Sequence, residues 1–312
     1  MLVPVRTRAR SSGVTLVELL VAMTLSVLIV MASVALYSVT SSSSNTSTED
    51  QGIQDNGRFA LRMISDAVRQ AGFVNYAINS VAGGGNPTPI QVCNAATCSA
   101  IEGADNATIT GAVGIDNIGT SGSRASTDLG GDSIGLRFQP GGVGDNSIID
   151  CLGRSVTSTV SIFGSTPQAA NDLVLSAFFV MPDTDAEPSL WCSAANSVGS
   201  PTNLSRQIVR GVETLHVLYG YDTNGDSIAD KWLSATEVVA AAASPWAQVV
   251  AVRVGMVVRG APGSAQQRTG VRMYPLGVEF APAVTFDPPS DGRLRKTFVS
   301  TFQLRNPPNW GN

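Results

Sequence analysis

Hydrophobic positions change their spacing along the chain. Over residues 14–37 they run almost unbroken, 24 residues with a single charge, Glu18. As a helix, at about 1.5 Å per residue, this stretch reaches roughly 36 Å, enough to cross a ~30 Å hydrocarbon layer. Over residues 51–71 the spacing becomes helical and one-sided. Ile53, Gly57, Ala60, Leu61, Ile64, Val68 and Ala71 form one stripe, while Asp55, Arg58, Arg62, Asp66, Arg69 and Gln70 lie off it. Gly72 stands where a left-handed residue would end the helix. Between the two stretches, residues 38–48 are serine-rich with poor helix propensity, and are read as a frayed point where the helix leaves the membrane. No proline interrupts residues 14–71.

Beyond Gly72 the period changes. Residues 75–131 are rich in Gly, Ser, Asn and Thr and read as long loops with a few strands. Alternation then marks Ile134, Leu136 and Phe138, then Leu215, Val217, Tyr219 and Tyr221, and most cleanly Val250, Val252, Val254, Met256 and Val258. Residues 173–181 are apolar on both parities, and residues 294–304 place Phe298 and Phe302 on one face. The fold expected is α+β: a long N-terminal helix, membrane-spanning in its first half, packed by its second half on an antiparallel β-sheet. Neither an internal repeat nor a Gly-rich phosphate loop between strand and helix is found.

Charge sets the orientation. Arg6, Arg8 and Arg10 precede the apolar stretch with no acid among them, so the basic end is expected in the cytoplasm and everything after Tyr37 outside it. Charged residues are only 14% and the net charge is -4, from 20 basic and 24 acidic side chains, so no basic excess is available for nucleic acid. A single histidine, His216, excludes a multi-histidine zinc site and leaves no Ser, His, Asp arrangement that can be named, so no enzyme is expected. Cys93, Cys98, Cys151 and Cys192 contain no CxxC pair and fit an oxidising compartment. Four cysteines allow three connectivities. The preferred one joins Cys93 to Cys98 across a short local loop and leaves Cys151 with Cys192 as the longer staple.

A secretory signal would end its apolar region at a small residue, whereas here Gly13 precedes it. Cutting there would remove only the basic leader. Glu18 is the odd residue, since a carboxylate inside an apolar segment costs about 3 kcal/mol on insertion scales, less near the interface. It either snorkels from the first turns of the helix or meets a partner.

Gly13 followed by Val14, Thr15, Leu16, Val17, Glu18, Leu19 and Leu20 resembles the prepilin motif of type IV pilins and type II secretion pseudopilins. The resemblance implies cutting after Gly13 by a prepilin peptidase and N-methylation of Val14, where family members often carry Phe. It also supplies a partner for Glu18, the positive N-terminus of a neighbouring subunit. On this reading residues 1–13 are the prepilin leader, 14–37 the transmembrane and assembly helix, 38–72 the exported half of that helix, and 73–312 a periplasmic β-rich pilin head. The segments QDNGRFALRMISDAVRQAGF, GVETLHVLYGYDTNGD, VVAVRVGMVVR and RKTFVSTFQLRN together resemble the PilW type of minor pilin. That implies an inner-membrane, single-pass subunit that primes pilus assembly with other minor and major pilins and the inner-membrane assembly platform. J-type pseudopilins are the nearest alternative.

One further motif carries chemistry. Asp222, Asn224, Asp226 and Asp230 occupy positions 1, 3, 5 and 9 of a loop in which Ile228 offers a carbonyl at position 7. Alternate oxygens on a tight loop suit Ca2+, making this a candidate calcium site and Ca2+ the one candidate cofactor, although none is required for assembly. Gly225 and Leu233 depart from the full twelve-residue calcium loop, and an exposed turn built by Asp, Asn and Gly accounts for the same residues. If calcium binds, the third class of function is a membrane-anchored calcium-dependent adhesin. His216 reads as solvent-exposed or hydrogen-bonded, Arg253 and Arg259 as a solvated or subunit-facing edge, and Trp191, Trp232, Trp246 and Trp310 as core plugs.

Overall fold

The computed structural model describes residues 13–73, 100–107, 109, 113, 118–123, 129–141, 147–156, 173–196, 202–241, 245–265, 270–280 and 284–306. Cys93, Cys98 and Trp310 lie outside the described residues. The chain divides into two compact units, Met1–Thr48 and Glu49–Asn312. Helix α1 (Leu16–Gln70) supplies the described helix of the first and opens the second.

In the first unit the serine-rich stretch is fully helical, contrary to the fraying expected from propensity. Its hydroxyls are bonded within the helix. Ser38 donates to the Ala35 carbonyl at 2.8 Å, Thr40 to that of Leu36 at 2.8 Å, and Thr46 to that of Ser42 at 3.1 Å. Bonded back to their own helix, these side chains no longer compete with its backbone ladder.

Among the described residues the second unit holds ten strands in two sheets, where one sheet was expected. Sheet one joins β1 (Ile101–Ala104), β3 (Ser133–Phe138), β4 (Val174–Pro182), β5 (Pro188–Asn196) and β6 (Thr202–Arg210) in that order, all antiparallel. Sheet two runs β10 (Arg295–Gln303), β9 (Val249–Arg259), β7 (Val212–Tyr221) and β2 (Gly130–Gly131), with β8 (Lys231–Leu233) also on β7. Its β2–β7 pair is parallel. Helix α2 (Ala235–Ala241) follows β8.

The main core gathers Ile53, Ala60, Ile64 and Val68 of α1, Ile134 and Leu136 of β3, Phe178 of β4, Leu215 and Val217 of β7, and Val252, Val254 and Met256 of β9. Leu175, Ala177 and Phe179 face a second cluster with Val113 and Ile118, so β4 is apolar on both parities because both its faces are covered. The helix sits close on β10. A Cβ on Gly57 would overlap three ring carbons of Phe298, Lys296 pairs with Asp50 at 2.5 Å, and Asn306 Nδ2 donates to the Ala71 carbonyl at 3.2 Å. The helix and β10 therefore run in the same direction. Gly72, at φ 74°, closes α1 with its N–H on the Arg137 carbonyl at 2.9 Å.

Two of the chain's passages between the sheets are tight corners. At Gly211, φ 84°, β6 ends and β7 begins, and a Cβ there would meet the Arg259 carbonyl oxygen at 2.6 Å. At the other, buried Asp132 accepts the Val217 N–H at 2.7 Å and the Asn106 N–H at 2.9 Å, tying the β2–β3 junction to β7.

Candidate functional site

The foot of α1 is built from consecutive residues. Thr15 is the N-cap and Glu18 the third helical position: Glu18 Oε2 accepts from the Thr15 N–H and the Thr15 hydroxyl, each at 2.9 Å, and Thr15 Oγ1 accepts the Glu18 N–H at 3.3 Å. This is a reciprocal capping box, which satisfies N–H groups that a helix start leaves unbonded. One carboxylate oxygen of Glu18, Oε1, has no partner among the described residues. Gly13, just before it, has open space: a Cβ there would meet nothing within 4 Å. No packing among the described residues requires a glycine at that position.

From Val14 to Val39 the large apolar side chains stay 50% to 75% exposed, all round the helix. The best 18-residue window has mean hydropathy 2.6. A helix apolar on every side is covered by lipid or by other helices, since no polar face remains to meet water.

The Asp-rich loop follows β7. Asp222, 2% exposed, accepts the Asn224 N–H at 3.0 Å and the Gly225 N–H at 2.7 Å on Oδ1, and the Ser227 N–H at 2.8 Å on Oδ2. Asn224 Oδ1 accepts the Asp226 N–H at 2.9 Å, Asp226 Oδ1 the Ile228 N–H at 2.8 Å, and Asp230 Oδ2 the Thr223 N–H at 2.7 Å. Each of these side chains thus folds its own loop, as Asx turns do. Burial opposes the charge on Asp222, but its backbone N–H bonds outweigh that and hold its carboxyl below the ordinary range. Glu237 is used elsewhere: it caps α2, accepting the Ser234 N–H at 2.8 Å. No group of three or more His, Cys, Asp or Glu side chains among the described residues is arranged to hold a metal ion.

Cys151 and Cys192 form a disulfide, Cα atoms 6.2 Å apart, linking the segment before β4 to the middle of β5. His216 is half-buried, its Nδ1 3.7 Å from Asp132 Oδ2. Trp246 is a core plug, its ring edge-on to Tyr219 with centroids 4.9 Å apart.

Arg259 corrects the sequence reading of a solvated edge. Only 10% of its side chain is exposed, with Nε on Glu187 Oε1 at 2.8 Å and Nη1 on Glu213 Oε1 at 2.9 Å. Arg295 reaches the same Glu213 at 2.7 Å and Asp291 at 2.7 Å, and Arg293 reaches Glu187 at 3.0 Å. The result is a network of three arginines and three carboxylates around the buried Glu213 that joins the β4–β5 turn of sheet one to β7, β9 and β10 of sheet two. Hydrogen bonding from Arg259, then the charges of Arg259 and Arg293, hold Glu187 below its ordinary range against the opposing effect of burial. Apart from the local pairing of Asp291 with Arg295, the local sequence does not announce this network, because the pairs made by Glu187 and Glu213 join residues 46 to 106 apart. Arg253 is tied too: Nε bonds the Leu276 carbonyl at 3.0 Å, Nη2 pairs with Glu279, and the guanidinium lies 4.9 Å from the Phe280 ring centre.

Residues 8–34 match the family model described as the Prokaryotic N-terminal methylation motif, and residues 177–306 match that of Type IV Pilus-assembly protein W. The first match covers Gly13, Val14 and Glu18. The second runs from within β4 through β10, taking in the Asp-rich loop and all of the buried ion network. Neither family is one of enzymes. No curated protein and no solved structure matches the chain. A methylation motif opening an exposed apolar helix, with the assembly-protein pattern over the strands that follow, supports a type IV pilin-like protein.

Proposed function

We propose that the chain is a minor pilin that enters the type IV pilus through its N-terminal apolar helix, acting in the complex that starts the filament and remains near its tip. Prepilin peptidase cuts between Gly13 and Val14 and the new amine of Val14 is methylated. Before assembly the helix holds the subunit in the inner membrane, basic end in the cytoplasm and head in the periplasm; the pilus then carries it to the cell surface. Other minor pilins, the major pilin and the assembly platform are its partners.

The observation that carries this reading is the foot of α1. An all-round apolar helix begins at the matched motif, behind a glycine that no packing requires, with one carboxylate whose Oε1 is unengaged. A neighbour's amine at Oε1 offsets the cost of a carboxylate in lipid and fixes the stagger between helices. The test is Glu18→Ala in cells: the head stays membrane-held while incorporation into pili is lost. Wild-type incorporation would overturn the role of Glu18, and a mature N-terminus other than Val14 by mass spectrometry would overturn the export route.

A J-type pseudopilin keeps the same helix and is distinguished by a secretion defect in place of a pilus defect on deletion. A membrane-anchored calcium-dependent adhesin keeps ligand binding in Glu18→Ala. Calorimetry of the exported part with Ca2+ tests the metal: heat and a raised melting temperature, both lost in Asp226→Asn, support it, and neither would leave the loop a turn.

A further inference from the structure

Each sheet ends in one nine-residue edge strand, β6 in sheet one and β10 in sheet two, while β1, β2 and β8 at the other edges have two to four residues. The two long edges are not alike. Edge strands present unpaired N–H and C=O groups, and proteins guard them with bulges, prolines or free charges. Strand β6 is guarded: its register with β5 shifts at Leu190 and Trp191, so that Ile208 has no residue opposite, and Arg206 and Arg210 stand exposed along it. Strand β10 is not. It pairs with β9 residue for residue, from Arg295 opposite Arg259 to Gln303 opposite Ala251, and contains no proline. Its two charges are engaged, Lys296 on Asp50 and Arg295 on Glu213 and Asp291.

The phase of β10 is fixed at both ends. The Leu304 N–H bonds the Val250 carbonyl and the Gly260 N–H bonds the Leu294 carbonyl, each at 2.9 Å, so the even-numbered residues turn their main chain toward β9. The N–H and C=O groups of Thr297, Val299, Thr301 and Gln303 therefore point outward, and they have no partner among the described residues. The same strand borders a cleft of about 480 Å3, walled by Val271, Met273, Tyr274 and Val278 together with Arg295 and Thr297 of β10. Val271 and Val278 are 71% and 69% exposed. An open main-chain ladder beside an apolar cleft asks for an extended polypeptide, whose backbone meets the edge while alternate side chains meet pockets.

We propose that β10 takes up an extended segment of a different pilin subunit as an added strand of sheet two, with an apolar side chain of that segment seated in the cleft. A second copy of this chain does not fit. Two β10 strands paired antiparallel about Val299 set Thr301 and Gln303 of the second copy opposite Thr297 and Arg295, where an apolar side chain is wanted. The apolar alternates, Phe298 and Phe302, already pack against the core of their own copy, and the other long edge, β6, is guarded. A strand from another pilin of the complex is hence the occupant, an assignment that rests on the assembly reading for the class of partner and on β10 for the surface.

The full-length chain, made in cells that assemble the pilus and carrying a photo-crosslinking amino acid in place of Val278, gives the readout. The expected product joins position 278 to a strand of a second pilin, identified by mass spectrometry of the cross-linked peptide. Thr301 is exposed, so Thr301→Lys sets a free charge on the edge without touching the core, and lowers the yield about tenfold. Thr301→Pro removes only an outward N–H and does the same, while Thr301→Ser leaves the yield unchanged. Thermal melting of the purified chains checks that the fold is kept, and the lysine variant carries the test if the proline one melts early. No product, a product with a second copy or with a protein that is not a pilin, or a yield indifferent to the lysine substitution would overturn the proposal. Normal incorporation into pili beside such a result leaves the assembly reading standing, so the two failures are told apart.

Discussion

Glu213 is the member of the buried network whose loss can be costed from its contacts. It is fully buried and accepts three charged hydrogen bonds, from Arg259 Nη1 at 2.9 Å, Arg295 Nε at 2.7 Å and Arg295 Nη2 at 2.9 Å. Glu213→Gln keeps the volume, removes the charge and turns an N–H2 group toward guanidinium hydrogens. Losing one partner of a buried pair costs about 3–5 kcal/mol, because the remaining charge stays away from water. Here Arg295 keeps Asp291 at 2.7 Å and Arg259 keeps Glu187 at 2.8 Å, so the loss belongs at the lower end, about 3 kcal/mol. For a unit of this size that is a fall in melting temperature of about 6–12 °C. Thermal unfolding followed by near-ultraviolet circular dichroism reads it, with Arg210→Gln as the control. The Arg210 side chain is 55% exposed in its pairs with Asp183 and Asp185, and such pairs are worth about 0–1 kcal/mol. If both variants melt within about 2 °C of the parent, water reaches the arginines and the network does not staple the sheets.

Three further outcomes follow from the same contacts. Gly57→Ala gains up to about 1 kcal/mol of helix propensity but puts a Cβ into the Phe298 ring, an overlap that costs about 1–3 kcal/mol. Urea unfolding should show net destabilisation, reversed by Phe298→Leu, and a stabilised Gly57→Ala would mean that α1 does not sit this close to β10. Cys151→Ser opens a disulfide of sequence separation 41, which the chain-entropy treatment values at about 4 kcal/mol; a loss under about 1 kcal/mol would speak against the pairing. Glu187 and Asp291 are both depressed, by hydrogen bonds from Arg259 and Arg295 respectively. Depressed carboxylates contribute stability that is fully present above their unfolded values, near pH 4, and lost as pH falls through the lower folded ones. Acid unfolding should therefore steepen below about pH 4, and Glu187→Gln should flatten that slope.

What the sequence disclosed and what it hid divide by the range of the interaction. The stripe of α1, the cap at Gly72, and β3, β4, β7, β9 and β10 were legible because each is written in residues two to four apart. Strands β5 and β6 were missed. Strand β5 does alternate Leu190, Cys192 and Ala194 into the main core, but its other face is held largely by hydroxyls: Ser193 Oγ donates to the Val113 carbonyl at 3.0 Å and Ser205 Oγ to Ser193 Oγ at 3.0 Å, while Gln207 Nε2 donates to Ser189 Oγ at 2.9 Å. The second sheet was missed for a related reason, since the turns into it at Gly211 and Asp132 are set by distant backbone. Arg259 looked solvated because an arginine on a strand names its partner only when the chain brings one from 46 and 72 residues away.

Glycines sharpen the same distinction and bear on the site. Gly57 and Gly211 are demanded from within, one by the Phe298 ring and the other by the Arg259 carbonyl and a positive φ. Gly13 has no such neighbour and no such dihedral. Under the proposed processing, a small residue at that position leaves the backbone open to a peptidase. The processing motif is written in consecutive residues, whereas Gly57 and Gly211 show their need for glycine only once the folded chain brings the Phe298 ring and the Arg259 carbonyl against them.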